Sequence, residues 1–125
     1  PPAYTYPSGG QPCSVIGTLR AEGSRILGAA VHRSVLSRGT LIQPGAMLEE
    51  CIIGQGVTIG ENCKLRRVIV DAHNNIPPDT VIGYDTAEDR ERYHVDEASG
   101  IVVIGMPVMK LRKDIEIPRA PFIES

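Results

Sequence analysis

The sequence contains no tryptophan, one phenylalanine and four tyrosines in 125 residues. A core with so few rings has to be filled by isoleucine, valine and leucine, which suits a narrow interior. A dominant charge is lacking too: 13 Lys+Arg stand against 15 Asp+Glu, a formal charge of −2. That balance excludes sequence-independent nucleic-acid binding, which needs a net-basic surface to neutralise phosphates. No apolar run approaches the roughly eighteen residues of a membrane span. The Pro-rich, polar start lacks the charged-then-apolar pattern of a secretory signal. Cys13, Cys51 and Cys63 form an odd set without a C-x-x-C pair. They read as cytoplasmic thiols packed as small hydrophobes, not as a disulfide framework or a metal site.

The length allows one domain. With 13 glycines and 10 prolines, every regular element must be short. Residues 1–13 read as a linker or strap. Gly9-Gly10 has no strand before it and no Lys-Ser/Thr after it, so it is not a phosphate loop.

From Val35 onward an aliphatic residue recurs every six positions: Val35, Leu41, Met47, Ile53, Ile59 and Leu65. Four residues after each come Gly39, Gly45, Cys51, Val57, Cys63 and Ile69, all but the last small. Six is a multiple of two and not of 3.6, so the period builds short strands joined by corners, and not helices. This is a hexapeptide repeat, and its physical meaning is a triangular coil. Three hexads close one coil of eighteen residues. Coils stack at the ordinary inter-strand spacing of about 4.8 Å, which puts Leu41 under Ile59 and Met47 under Leu65.

Another step of six beyond Leu65 would bury Asp71, at a cost of several kcal/mol in order of magnitude. A step of five gives Val70, and sixes then give Ile76 and Ile82. A one-residue contraction is therefore expected between Leu65 and Val70, with Asp71 facing outward or bonded to a turn. Upstream of Val35 the slots fall on Ala29 and Gly23, beside Ile26, Leu27 and Val31, so an irregular first coil is expected. Asp85 followed three residues later by Glu88 has the form of a helix start, and a short capping helix is expected at about 86–92. Gly100 introduces a buried strand over 101–104. The β-helix domain thus spans 14–105, followed by a tail over 106–125.

One stretch is more specific than the repeat. Cys63-Lys64-Leu65-Arg66-Arg67-Val68-Ile69-Val70-Asp71 is followed by Ile76-Pro77-Pro78-Asp79-Thr80-Val81-Ile82-Gly83, then Glu88-Asp89-Arg90 and Gly100-Ile101-Val102-Val103. This order resembles the C-terminal region of bacterial glucose-1-phosphate adenylyltransferase (ADP-glucose pyrophosphorylase) over roughly residues 14–104. The resemblance implies an all-β fold, a left-handed parallel β-helix. It implies a parent enzyme that makes ADP-glucose and pyrophosphate from ATP and glucose 1-phosphate, with Mg²⁺, for glycogen synthesis. It also implies an N-terminal nucleotidyltransferase domain with no counterpart here. The expected role is regulation and homo-oligomer assembly, with a sugar phosphate, AMP or phosphate as effector and no turnover by this chain.

Four residues are candidates for effector or phosphate binding: Arg66, Arg67, His73 and Lys110. Arg66 and Arg67 belong to the densest basic cluster with Lys64, where strand alternation puts 64 and 66 on one face and 67 opposite. Ala72 stands where many relatives are expected to carry an effector-binding arginine, with His73 beside it. After Val103 the positions matching the family's basic residues are Met106 and Lys110, so only one is basic. His73 also raises a rival reading, a hexapeptide acyltransferase with a histidine general base, which would be a trimer that binds acyl-CoA. A scaffold β-helix with no ligand is the third reading. His32 and His94 are weaker candidates. Glu49 and Glu50, as strand neighbours, are expected to face opposite ways. Cys51 and Cys63, twelve apart, are expected on different faces and unbridged.

Overall fold

A computed structural model describes residues 4–6 and 13–105, with backbone only for 4–6. The chain winds through three parallel sheets in turn. The first coil holds β1 (Tyr4–Tyr6), β2 (Ser14–Ile16) and β3 (Leu19–Arg20). The second holds β4 (Arg25–Leu27), β5 (Ala30–His32) and β6 (Val35–Leu36). The third holds β7 (Leu41–Ile42), β8 (Met47–Glu49) and β9 (Ile52–Ile53). The fourth holds β10 (Thr58–Ile59), β11 (Lys64–Arg66) and β12 (Val68–Val70). A last level begins with β13 (Asn75–Ile76) and β14 (Val81–Ile82). The helix α1 (Thr86–Arg92) and β15 (His94–Val95) interrupt it before β16 (Val102–Ile104) closes it on β12.

Sheet one runs β1-β4-β7-β10-β13, sheet two β2-β5-β8-β11-β14, and sheet three β3-β6-β9-β12-β16-β15. All pairings are parallel except β15 on β16. The all-β parallel β-helix expected from the repeat is the fold observed.

The interior is a file of aliphatic side chains: Ile26, Val31, Leu36, Ile42, Leu48, Ile53, Ile59, Leu65, Val70, Ile76 and Ile82, all buried. Two positions before each of the first nine sits a second buried residue, small in most coils: Ser24, Ala29, Ser34, Thr40, Ala46, Cys51, Val57, Cys63 and Val68. A slot for a small side chain beside a slot for a large one lets consecutive coils approach at strand spacing without voids.

The phase of the repeat departs from the uniform six. Val35 and Met47 are exposed, by 39% and 47%, while their neighbours Leu36 and Leu48 are buried. Ile42 stacks on Ile59 and Leu48 on Leu65, so Leu41 and Met47 do not fill those interior slots. The coil is seventeen residues in these levels, because the step from sheet two to sheet three is five residues each time: Val31 to Leu36, Leu48 to Ile53, Leu65 to Val70. The contraction expected at Leu65–Val70 is therefore one member of a series. The winding is irregular at the start, as expected: Leu41 pairs with Arg25 and Ala30 with Ser14 at a spacing of sixteen residues, and Arg25 pairs with Tyr4 at twenty-one, although Ile26 and Val31 still lie in the interior file.

The short step has a backbone cause. At this corner a single residue in the left-handed region turns the chain: Gly17, Arg33, Glu50 and Arg67, with φ of 57°, 50°, 54° and 55°. The other two corners use two-residue turns whose second member is left-handed, such as Gly45 or His73, except in the second coil, where Gly28 alone, with φ of 62°, turns the chain from sheet one to sheet two. Consecutive levels are tied through these residues. Arg33 N–H donates to Ile16 O at 2.7 Å, Glu50 N–H to His32 O at 3.0 Å, and Arg67 N–H to Glu49 O at 2.9 Å.

The capping helix falls where expected. The Asp85 side chain accepts from the Glu88 N–H at 3.2 Å, satisfying one of the helix's free donors. Asp89 adds an anchor that the sequence pattern did not reveal. It is 4% exposed, and its Oδ2 accepts from the Gly83 N–H at 2.9 Å. The two-residue antiparallel strand β15 then occupies the edge of sheet three, where a long parallel edge would invite further coils.

Candidate functional site

The corner between sheets two and three builds a cleft. On sheet two the residues Ile16, His32, Glu49 and Arg66 stand in register, one per coil. The next residue at each level is the left-handed corner, so its side chain also emerges outside instead of alternating inward. The cleft therefore receives residue pairs: His32-Arg33, Glu49-Glu50 and Arg66-Arg67. Its volume is about 640 Å³, and Met47, Gly83, Tyr84 and Gly100 complete its walls.

Two expectations are corrected by this corner. Arg67 does not point away from Arg66; both are exposed and line the same cleft. Glu49 and Glu50 do not face opposite ways, since both reach Arg33. The Arg33 Nη2 pairs with Glu49 Oε2, and Arg33 Nε lies 4.0 Å from Glu50 Oε2.

The charges are unevenly satisfied. Arg33 is held by two carboxylates, whereas Arg66 and Arg67 have no carboxylate within ion-pair reach among the described residues. The Arg66 guanidinium lies over the Tyr84 ring, 4.8 Å from its centre, a cation–π contact. Arg67 Nη2 donates to Ser99 O at 2.9 Å. The level above the two arginines carries only Gly83 and Tyr84 in the corresponding places.

His32, a weaker candidate in the sequence, stands between Ser14 Oγ at 3.0 Å from its Nε2 and Glu49 Oε1 at 3.7 Å from its Nδ1. The order suggests a nucleophile relay, but the second distance exceeds a hydrogen bond and Glu49 is committed to Arg33.

The four candidate residues are not brought together. Arg66 and Arg67 share the cleft. His73 is the left-handed residue of the corner between sheets three and one, with φ of 61°. Its ring lies against Gly56, where an added Cβ would come within 2.8 Å of His73 Nδ1. Its N–H donates to Gln55 O at 2.9 Å. Ala72 adjoins it there, and Asn74 Nδ2 donates to Gly105 O at 2.9 Å close by. Lys110, with the rest of 106–125, lies outside the described residues. No sequence signal paired Arg33 with this cleft; the coil length had to be known first.

Cys51 and Cys63 are not bridged to each other. Cys51 precedes β9 in sheet three and Cys63 precedes β11 in sheet two, so they sit on different faces. Burial pushes the Cys51 thiol up to about 11, and burial also raises Cys63. Both stay protonated at neutral pH, which suits packing and not nucleophilic chemistry.

Comparison with known proteins agrees with this architecture. The model of the family described as GlmU-like, C-terminal hexapeptide, matches residues 1–104. The chain belongs to that family. Among curated proteins it is similar to glucose-1-phosphate adenylyltransferase of Anaeromyxobacter sp. (strain Fw109-5), 47% identical over 87 residues, 70% of this chain and 21% of that protein. It is 38% identical over 104 residues to the enzyme of that name from Photobacterium profundum, covering 83% of this chain and 25% of the relative. It is 41% identical over the same length to glucose-1-phosphate adenylyltransferase 1 of Vibrio parahaemolyticus. The chain thus spans about a quarter of the length of the relatives it matches.

Proposed function

We propose that this chain is the regulatory and oligomerisation domain of a glucose-1-phosphate adenylyltransferase, a cytoplasmic enzyme making ADP-glucose and pyrophosphate from ATP and glucose 1-phosphate for glycogen synthesis. The observation that supports this most is the coverage: 83% of this chain corresponds to 25% of a relative bearing that name. The unmatched three-quarters has room for the nucleotidyltransferase domain. ATP and Mg²⁺ belong there on this reading. The solenoid contributes assembly and effector response, and no turnover of its own.

A surface suited to assembly runs along sheet three. Leu19, Val35, Ile52, Ile69 and Val103 stand in register on its outer side. Leu19 is 72% exposed, Val35 and Ile52 are exposed as well, and the upper two are half-buried. Apolar columns of this kind mark contact surfaces.

Size-exclusion chromatography with light scattering, alongside an ADP-glucose assay, tests the reading. The expected result is self-association that Ile52→Asp abolishes, with no ADP-glucose formed by the chain alone. ADP-glucose synthesis by the chain alone would refute the division of labour. A monomer at all concentrations would refute the assembly role, and a trimer that binds acetyl-CoA would favour acyl transfer instead.

A further inference from the structure

We infer that the segment 106–125 of this chain closes the open end of the solenoid, laying an extended strand in the groove above β13 and β14 with Met109 and Leu111 as its inward anchors. Neither the assembly reading nor the effector reading depends on this lid, and it depends on neither.

Two of the three sheets end on a strand with nothing paired above it: β13 in sheet one and β14 in sheet two. The ladder shows what these edges offer. In sheet one Arg25 N–H donates to Thr40 O, Leu41 N–H to Val57 O and Thr58 N–H to Asn74 O, each to the level above, at 2.9, 3.0 and 3.1 Å. Asn75 stands in register on Thr58 and is next in that series. In sheet two Met47 N–H donates to Cys63 O and Lys64 N–H to Thr80 O, both at 2.8 Å, and Val81 is next. Residues in register on parallel strands orient their N–H groups alike, so Asn75 and Val81 aim main-chain donors at the open end. The positions two further on are already provided for. Pro77 has no N–H, and the Gly83 N–H is bonded to Asp89.

Between these edges and α1 lies a groove of about 620 Å³, walled by Ile76, Val81, Ile82, Tyr93 and Ile104 among others. Val81 is 53% exposed. Ile76 and Ile104 keep 7% and 8% of their surface, while Ile59 and Val70 directly beneath them keep 0% and 1%. The end of the interior file is thus less covered than the levels below it. A strand added here would supply acceptors for the two donors and cover the apolar floor together.

The chain itself supplies that strand. Ile104 is a wall of the groove, and the Gly105 carbonyl accepts from Asn74 Nδ2 at 2.9 Å, so residues 106–125, which lie outside the described residues, begin at its rim. Met109, Leu111, Ile115 and Ile117 alternate there with Lys110, Arg112, Asp114 and Glu116, broken only at Lys113. Alternation of this kind belongs to a strand with one face buried. A step of six from Ile104, like that from Val70 to Ile76, would bury Lys110. A step of five instead places Met109 and, by alternation, Leu111 inward. Asp79 and Glu88 line the groove and are exposed, opposite in sign to Lys110, Arg112 and Lys113. A lid so placed removes two edges on which another strand could pair.

Amide hydrogen exchange, read by nuclear magnetic resonance on the full chain and on a chain ended at Gly105, tests the lid. Asn75 and Val81 are expected to exchange at least about tenfold faster without 106–125, while the Lys64 amide, bonded to Thr80 one level down, is unchanged. Within the full chain, Met109→Asp combined with Leu111→Asp is expected to reproduce that loss of protection, and Lys110→Asp is not. Methyl contacts from Met109 and Leu111 to Ile76 and Val81 are expected within one molecule, as a mixture of labelled and unlabelled chains would show. Equal exchange of Asn75 and Val81 in the full and shortened chains would overturn the inference, as would equal effects of Lys110→Asp and the double substitution. Contacts found only between molecules would overturn it in favour of a second copy as the occupant.

Discussion

Ile42 stacks directly on Ile59, seventeen residues further along the chain, and both side chains are fully buried. This one relationship sets the length of the coil, and with it the identity of every residue that reaches the cleft. A coil of eighteen would pair Leu41 with Ile59 and would place Glu49 and Arg66 out of register.

The coil length predicts a contrast between neighbours. Leu48→Asp buries an unpaired carboxylate and is expected to cost several kcal/mol, enough to unfold the domain. Met47→Asp, on the exposed neighbour, should leave stability nearly unchanged. The same contrast holds for Ile59→Asp against Glu61→Ala. Urea melts followed by circular dichroism measure both pairs; equal tolerance of Leu48→Asp and Met47→Asp would contradict the observed phase.

Two glycines with similar backbone should respond differently to alanine. Gly83 has φ of 95°, and a Cβ there would collide with the Arg66 carbonyl oxygen. Gly100 has φ of 77°, and nothing lies within 4 Å of an added Cβ. Gly100→Ala is expected to cost about 1 kcal/mol for the left-handed backbone alone. Gly83→Ala is expected to cost more than about 2 kcal/mol, because backbone must move as well. Thermal denaturation of the two variants checks the order.

The helix cap depends on a buried carboxylate more than on its visible N-cap. Asp89→Ala removes the acceptor for the Gly83 N–H and leaves that donor unpaired, with an expected loss of about 1–3 kcal/mol. Asp85→Ala removes an exposed capping bond, with a loss nearer 1 kcal/mol. Hydrogen exchange should show α1 opening more often in Asp89→Ala than in Asp85→Ala.

Cys51 makes stability depend on alkaline pH. Its thiol ordinarily ionises near 9.0, and burial holds the folded value at about 11. The unfolded chain therefore loses this proton first, and stability falls as pH rises from about 9 toward 11. A shift of about two units corresponds to roughly 2–3 kcal/mol in order of magnitude. Denaturant melts at pH 8, 9 and 10 should show the decline, and Cys51→Ala should flatten it; an identical slope in the variant would remove Cys51 as the cause.

Much of this fold was legible in the sequence because the period of six, the scarcity of rings and the Asp85–Glu88 pair each follow from local chemistry. The phase was not, for a physical reason. Val35-Leu36, Leu41-Ile42, Met47-Leu48 and Ile52-Ile53 are apolar pairs, so hydrophobicity alone does not say which member faces inward. Val35 and Ile52 are outer members because sheet three carries its own exposed apolar column, while Leu41 and Met47 are outer members of sheets one and two. Only the buried-carboxylate argument at Asp71 exposed a contraction, since Asp was the first polar residue to fall in an interior slot. The cleft was half legible. Arg66 and Arg67 stand out as a dense basic run, but joining them to Arg33, Glu49 and Glu50 needs the left-handed corner, which places consecutive side chains on one side. A charged residue such as Glu50 or Arg67 at positive φ carries no mark in the sequence, unlike the glycine that opens the same ladder at Gly17.

The coil length is tested most directly by methyl–methyl nuclear Overhauser contacts in the isotopically labelled chain. The structure predicts contacts between Ile42 and Ile59 and between Leu48 and Leu65, with none from Leu41 to Ile59 or Met47 to Leu65 into the interior. Strong Leu41–Ile59 and Met47–Leu65 contacts, with Ile42 and Leu48 facing water, would contradict the seventeen-residue coil and dissolve the cleft built on it.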